Sequence, residues 1–386
     1  MKSFLFLVKR EFQLFFQNKV LMVLFIGAPI MYGVLIGSVY KKGTVTNLPI
    51  VVVDEDQSPL SKQLIDMFNE NEVIYVSDVL NDPMQAHAIA MKREATVVVN
   101  IPKNFSSDIN YNRSTEMSMF VNTSNTLTSN YAMMAVNVCA ATLKAGIQIK
   151  AQEKKGVPAY VAAQQYEPFK TTIIKQNFRS GNYLYFMLPG VLLTVFQQIM
   201  MLALALSFAS EFEKGTFTEL VKKSSNVFKL ILMKITPYLL MSVLIFAMYY
   251  GYSVWYRMPL HIEGFTFWGA SILFLLAVSF IGILVSAAIP TQLQATEILM
   301  VIATPSFILS GFTWPLSQMP EWVIWIANCI PLTHYLHIFR TLVIEQGTAD
   351  LVSGSIGGLA IIAIVTFALS VVILQLKINK AKKEVK

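Results

Sequence analysis

Three groups of residues in this chain carry side chains suited to chemistry. Asp54-Glu55-Asp56 places carboxylates at the end of an apolar run, where a hard cation finds oxygen ligands. The preferred reading is blander: a solvated strand end entering a capped helix. His334 and His337 lie three apart, a spacing that aims two imidazoles at one metal from a single helical face. No third ligand accompanies them, so interfacial packing is preferred and no metal site is expected. Gln197 and Gln198 sit inside an apolar block, where a side-chain amide either bonds a neighbouring helix, lines a path, or meets a second chain. No phosphate loop, nucleophile elbow, His-Glu-x-x-His or Cys-x-x-Cys occurs. The chain is therefore not expected to be an enzyme or to hold a catalytic residue.

The elements that must position these groups follow from hydropathy. Hydrophobic residues make up 55% of the 386 positions and charged residues 14%, against about 25% charged in soluble domains. Blocks long enough to cross a bilayer as helices run over 20–40, 183–209, 235–255, 267–289 and 355–376, with a shorter one over 298–312. This implies a polytopic α-helical membrane protein with six transmembrane helices. Its net charge of +7 is explained by placement rather than by nucleic acid. With both termini cytoplasmic, Lys9, Arg10, Lys19, Lys214, Lys222, Lys223, Lys229, Lys234 and the basic tail over 377–386 fall on the inner side. The first block ends without a small-x-small site and is expected to stay as an anchor. Before it, Phe4, Val8, Phe12 and Phe15 share a helical face, so 1–19 is expected to lie in the inner interface, because Lys9, Arg10 and Glu11 are costly in hydrocarbon.

Between the first and second blocks, 41–182 has the composition of an extracytoplasmic α/β domain. Strands are expected over 48–53, 73–76, 95–101 and 116–121. Ser58-Pro59 should open one helix and Asp82-Pro83 another. A long helix should bury Met134, Val138, Ala141, Ala145 and Ile149. Asn104, Asn112 and Asn122 open Asn-x-Ser triplets without an assigned role. Cys139 and Cys329 would share the outer side, but nothing in the sequence pairs them.

The five-helix bundle over 183–376 holds the remaining signals. Pro189 should kink the second span and free a carbonyl; with Gln197 and Gln198 it marks a substrate path or a dimer seam, although interhelical bonding is preferred for the amides. Glu297 should cap the fifth span. After that span, Gly311, Trp314, Pro315 and Pro320 precede apolar pieces too short to cross, so 313–345 should form an outer re-entrant hairpin with Trp314, Trp322, Trp325 and Tyr335 in an aromatic belt. Inside, the loop 210–230 reads Glu211-Phe-Glu-Lys-Gly-Thr-Phe-Thr-Glu-Leu220. Gly215 should end the incoming helix and Thr216 cap a short new one, with Glu219 at capping-box spacing.

At this loop the chain resembles the permease subunits of type-2 ATP-binding-cassette exporters, the subgroup with a large domain after the first span. The pattern covers Glu211, Glu213, Gly215, Thr216, Glu219 and Leu220, then Ser310 to Pro315, Met319-Pro320, Pro331-Leu332-Thr333-His334 and Arg340. It departs at Lys222-Lys223-Ser224-Ser225, where relatives often carry a proline turn, and at Met233-Lys234, where glycine often precedes the lysine. The resemblance implies that the loop docks on separate cytoplasmic ATPase subunits, which would hold ATP and Mg, with no cofactor in this chain. It implies a second permease chain, identical or paralogous, and an outer gate involving Gly311, Trp314, Pro315, Pro320, Pro331, His334 and Arg340. A hydrophobic or amphiphilic compound would leave across a bacterial inner membrane. The size of the outer domain points to a periplasmic adaptor. The competing expectation is a non-transporting sensor or scaffold whose outer domain binds a ligand.

Overall fold

The computed structural model describes residues 2–111, 113–166, 173, 174, 176, 181–262 and 264–385; Asn112 lies outside them. The chain divides into two compact units. Thr44–Ile174 forms one, and Met1–Gly43 with Lys175–Lys386 forms the other.

The inserted unit is a four-stranded sheet in the order β2-β1-β3-β4, with β1 Leu48–Asp54, β2 Ile74–Leu80, β3 Val97–Ile101 and β4 Ser118–Val121. β1 runs parallel to β2 and β3, and β4 is antiparallel to β3. β1 reads Leu-Pro-Ile-Val-Val-Val-Asp and is almost wholly buried, as a central parallel strand requires. Ser58 caps the helix Pro59–Asn69 and pairs reciprocally with Ser61, while Leu64 and Phe68 enter the core. The acidic run is consumed by this turn. Asp54 accepts the Ser61 hydroxyl at 2.7 Å and the Gln57 amide at 2.9 Å, and Asp56 accepts the Ser106 amide at 3.0 Å. Burial draws the Asp56 pKa upward, but hydrogen bonds from Ser58 and Ser106 outweigh it and hold the carboxyl below its ordinary range.

The long helix Thr126–Glu153 corrects the sequence reading. Its sheet-facing residues are Ala132, Ala135, Val136, Cys139 and Leu143, whereas Met134 and Val138 are exposed. The helix is apolar on two sides, and periodicity alone does not choose between them. Small Ala132 and Ala135 let the backbone approach the strands closely. Both cysteines are free thiols.

Among the described residues, seven helices are long and apolar enough to cross a membrane. Thr126–Glu153 belongs to the inserted unit. The other six form the helical unit: Lys19–Val39, Tyr183–Glu213, Val227–Trp255, Phe265–Ala288, Gln292–Leu309 and Ala349–Lys383, here the first to sixth spans. Asn18 leaves helical geometry and its side chain accepts the Val20 and Leu21 amides, which separates the N-terminal helix Lys2–Gln17 from the first span.

Glycines set the closest helix contacts. Gly33 and Gly37 in the first span have the spacing that lets helices approach, and here they receive the rings of Tyr252 and Tyr256 from the third span. The Tyr252 hydroxyl donates to the Ile30 carbonyl at 3.4 Å. Gly282 of the fourth span lies against Leu204 of the second, and one turn on, the Ser286 hydroxyl accepts the amides of Phe208 and Ala209 at 2.8 and 2.9 Å. A side chain thus enters the hydrogen-bond ladder of the second span. Pro305 interrupts the fifth span between Gln292–Ala303 and Ser306–Leu309.

Where the sequence predicts a re-entrant hairpin, two helices, Glu321–Asn328 and Pro331–Ile344, are bent by 86° at their junction. Trp314, Trp322 and Trp325 are exposed. Tyr335 departs from the expected belt: it is fully buried, stacked on Phe274 at 4.2 Å between centroids and hydrogen-bonded to Ser271 at 2.8 Å.

The Tyr252 notch yields a direct test. Gly33→Val should overlap the ring and cost about 1–3 kcal/mol, read as a lower thermal midpoint of the purified protein. Adding Tyr252→Ala should recover part of the loss; equal stability of Gly33→Val and the parent would refute the close contact.

Candidate functional site

The second span ends in a motif dictated by Gly215. That residue has φ +70°, a conformation glycine adopts without steric cost. The Thr216 amide returns to the Glu211 carbonyl at 3.0 Å and the Gly215 amide to the Phe212 carbonyl at 3.2 Å. This double closure satisfies carbonyls at the helix end and reverses the chain. The helix Phe217–Lys223 follows, with Phe217, Leu220 and Val221 buried and Glu219, Lys222 and Lys223 exposed. Phe217 packs edge-on against Phe212 at 4.8 Å, and the Lys223 ammonium lies over the Phe6 ring of the N-terminal helix at 5.9 Å.

Thr216 does not cap this helix through its side chain. Its hydroxyl donates to Glu211 instead, because Glu211 is turned inward and only 2% exposed. Around Glu211 the structure assembles a four-residue charge cluster. Arg10 grips it with both guanidinium nitrogens, at 2.8 and 3.1 Å, and Lys234 reaches the same carboxylate at 2.8 Å. Glu11 completes the set, 2.8 Å from Arg10 and 2.9 Å from Lys234. Two cations face two anions, so the charge of the cluster sums to zero. With Thr216, Glu211 receives four donors, about the full capacity of a carboxylate. Burial pulls the Arg10 pKa down, yet its bonds to Glu211 and then Glu11 outweigh that and raise it, keeping the guanidinium charged.

The cluster gives the N-terminal helix a protein-facing side. Leu7, Glu11 and Phe15 form its protein-facing stripe, while Leu5, Phe6 and Phe16 are exposed. Besides each other, Arg10 and Glu11 pair with Glu211 and Lys234, 201 or more positions away in sequence and beyond any local pattern. The signal available was the pairing rule: a buried Lys234 and a buried Glu211 require partners.

Glu213 points elsewhere. Its Oε2 accepts the Gln292 amide and side chain, each at 3.0 Å, at the start of the fifth span. Glu213 therefore holds the N-terminal position expected of Glu297, which is exposed in the second turn. An acceptor at the free amides of a helix start is favourable.

The remaining expected residues disperse. Gln197 is fully enclosed, with neither amide atom partnered among the described residues. Gln198 donates to the Ala303 carbonyl at 3.3 Å, joining second and fifth spans. Pro189 lines an apolar cavity of about 500 Å³, together with Leu192, Phe246, Tyr249, Trp268 and Tyr335. Gly311 has φ +77° and delivers Phe312 onto Gly190, where the ring also stacks on Phe186 at 4.7 Å. Trp314, Pro315 and Pro320 are exposed, and Pro331 starts its helix buried. His334 donates to the Asn328 carbonyl at 2.9 Å and His337 bonds Ser355 at 3.0 Å, so each imidazole spends a nitrogen on packing. Arg340 pairs with exposed Glu345 at 2.9 Å.

Comparison with known proteins agrees with the architecture. Residues 19–372 match the model of the family described as ABC-2 family transporter protein. The chain belongs to the ABC-2 transporter family. Over 366 residues it is 22% identical to the probable multidrug ABC transporter permease YbhR of Escherichia coli K12, covering 93% of this chain and 95% of the relative. The inner membrane transport permease YhhJ of the same organism is 24% identical over 82% of this chain and 83% of its own length. The probable multidrug ABC transporter permease YbhS is 28% identical over 41% and 42%. An ABC-2 permease is the membrane component of its transporter and not the enzyme, which accords with the missing phosphate loop.

Removing one member of the cluster strands its partners. Glu211→Leu alone should cost about 3–5 kcal/mol, as expected when a buried pair is broken, while Glu211→Leu with Lys234→Leu should cost clearly less because charge is balanced again. Thermal unfolding of the purified variants reads this; a double variant as unstable as the single one would contradict the cluster.

Proposed function

We propose that this chain is the membrane subunit of an exporter that carries a hydrophobic or amphiphilic compound outward across a bacterial inner membrane, driven by separate ATPase subunits that hold ATP and Mg. The observation that carries the proposal is the division of the Glu211–Leu220 turn into two faces. Glu219, Lys222 and Lys223 are exposed, whereas Glu211 is bonded through Arg10, Glu11 and Lys234 to the N-terminal helix and the third span. A partner pressing on the outward face moves three elements at once, and Glu213 passes the displacement to the fifth span through Gln292. Binding energy shifts the permease only to the extent that the ATPase states differ in affinity for its two conformations.

In this reading the six spans cross the membrane with both termini cytoplasmic, and the inserted unit faces the periplasm, where an adaptor is a natural partner. A second permease chain, identical or paralogous, covers the fifth span. Gln294, Glu297 and Thr304 are exposed there, and a carboxylate on a spanning helix belongs against protein or water rather than hydrocarbon. The substrate path runs along that seam, and the segment from Gly311 through Arg340 gates its outer end.

Reversing the outward charges tests the drive. Glu219→Lys with Lys222→Glu should weaken ATPase co-purification, by up to about fivefold for each exposed pair lost at roughly 1 kcal/mol, and lower substrate-stimulated ATP hydrolysis without changing the thermal midpoint. Unchanged assembly and unchanged stimulation would overturn the docking assignment.

A further inference from the structure

The cavity beside Pro189 lies apart from the fifth-span seam. Its walls come from the second, third and fourth spans, the segment Met258–Ile262 and the helix carrying Tyr335 and Phe339; no fifth-span residue lines it. At about 500 Å³ it falls within the range of about 300–1,000 Å³ typical of small-molecule sites.

Its chemistry is defined by what is already spent. No charged side chain lines it. Of five lining hydroxyls, four are committed to protein acceptors or partners: Tyr249 to Leu192, Tyr252 to Ile30, Ser253 to Tyr250 and Tyr335 to Ser271; the fifth, Tyr250, stands at the exposed mouth. Away from the Tyr250 hydroxyl, what faces the space is chiefly ring surface and aliphatic carbon. Such a wall recognises shape and stacking and offers a charged group nothing to offset desolvation. Water gains little there for want of polar partners. The lining residues Val243, Tyr250 and Trp268 are 64%, 62% and 52% exposed, which places the mouth on the outer surface of the bundle, the surface that meets lipid if these helices span.

We propose that this cavity binds uncharged, apolar, ring-containing molecules drawn sideways from the bilayer. The proposal rests on the membrane-spanning reading of the bundle but not on the direction or energy source of transport. Because Tyr335 and Phe339 belong to the re-entrant segment, occupancy also bears on the position of that segment. Committed hydroxyls make the site permissive: many ring systems fit a wall that demands no particular hydrogen bond.

The test uses the full chain in lipid nanodiscs and benzophenone as a photoreactive probe, with 4-benzoylbenzoate as its charged counterpart. Benzophenone should label cavity peptides saturably, and the carboxylate form should label them about tenfold less or weaker still. Ala247→Trp places an indole in the space from a small, exposed lining residue and should cut labelling about tenfold, whereas Ile361→Trp on the sixth span should leave it intact. Tyr250→Ala, which widens the mouth, should retain labelling. A phosphatidylcholine with a photoreactive acyl chain should reach the same peptides and be displaced by benzophenone. Labelling spread evenly over exposed apolar faces, labelling unaffected by Ala247→Trp, or lipid that benzophenone fails to displace would each overturn the proposal. Loss of ATPase stimulation with labelling intact would instead count against the transport reading alone.

Discussion

The helical unit depends on a charge quartet of which Glu11, Glu211 and Lys234 are buried and Arg10 half-buried. Arg10, Glu11, Glu211 and Lys234 come from the N-terminal helix, the end of the second span and the start of the third. Each charge is paid for by two opposite neighbours or by a bidentate grip, and the sum is zero. Hydrophobic contact would join these three elements equally well but would let them slide. Directional bonds at 2.8 to 3.1 Å fix their register, since a shift of one helical residue would strand an ion in a low-dielectric interior. The Gly215 reversal places the quartet directly behind a turn whose Glu219, Lys222 and Lys223 are exposed.

From that point two arms extend. Glu213 bonds the first turn of the fifth span, and Ser286 of the fourth span enters the ladder of the second at Phe208 and Ala209. At the other end of the second span, Gly190 receives Phe312, and the Tyr335 helix packs against Phe274. The second span is thus the common neighbour of the turn, the cavity wall at Pro189 and the re-entrant segment. One helix, Tyr183–Glu213, therefore joins Glu211 at one end to the packing of Phe312 on Gly190 near the other.

Much of this was legible in the sequence, and the failures share a cause. Apolar block length located the long helices of the helical unit, Ser58-Pro59 the capped helix, and Glu211 to Leu220 the reversal at Gly215. Fold recognition through the order of these elements reached the family that residues 19–372 match. Partnerships distant in sequence stayed hidden. The bonds of Arg10 and Glu11 to Glu211 and Lys234 left no local trace; Glu297 read as a cap because Glu213 belongs to another span; Tyr335 read as a belt residue because its stacking on Phe274 is tertiary. Met134 and Val138 failed differently: a helix with two apolar faces carries no local sign of which one meets the sheet.

The central claim is that the N-terminal helix and the turn move as one body. Spin labels at Gln13→Cys and Lys214→Cys, with Cys139 and Cys329 replaced and one permease chain per transporter labelled, report the distance between them in the assembled transporter by pulsed electron resonance. The account predicts one narrow distance that stays the same without nucleotide, with a non-hydrolysed ATP analogue and after hydrolysis. A distance that changes or broadens between those states would show that the quartet does not link the two elements.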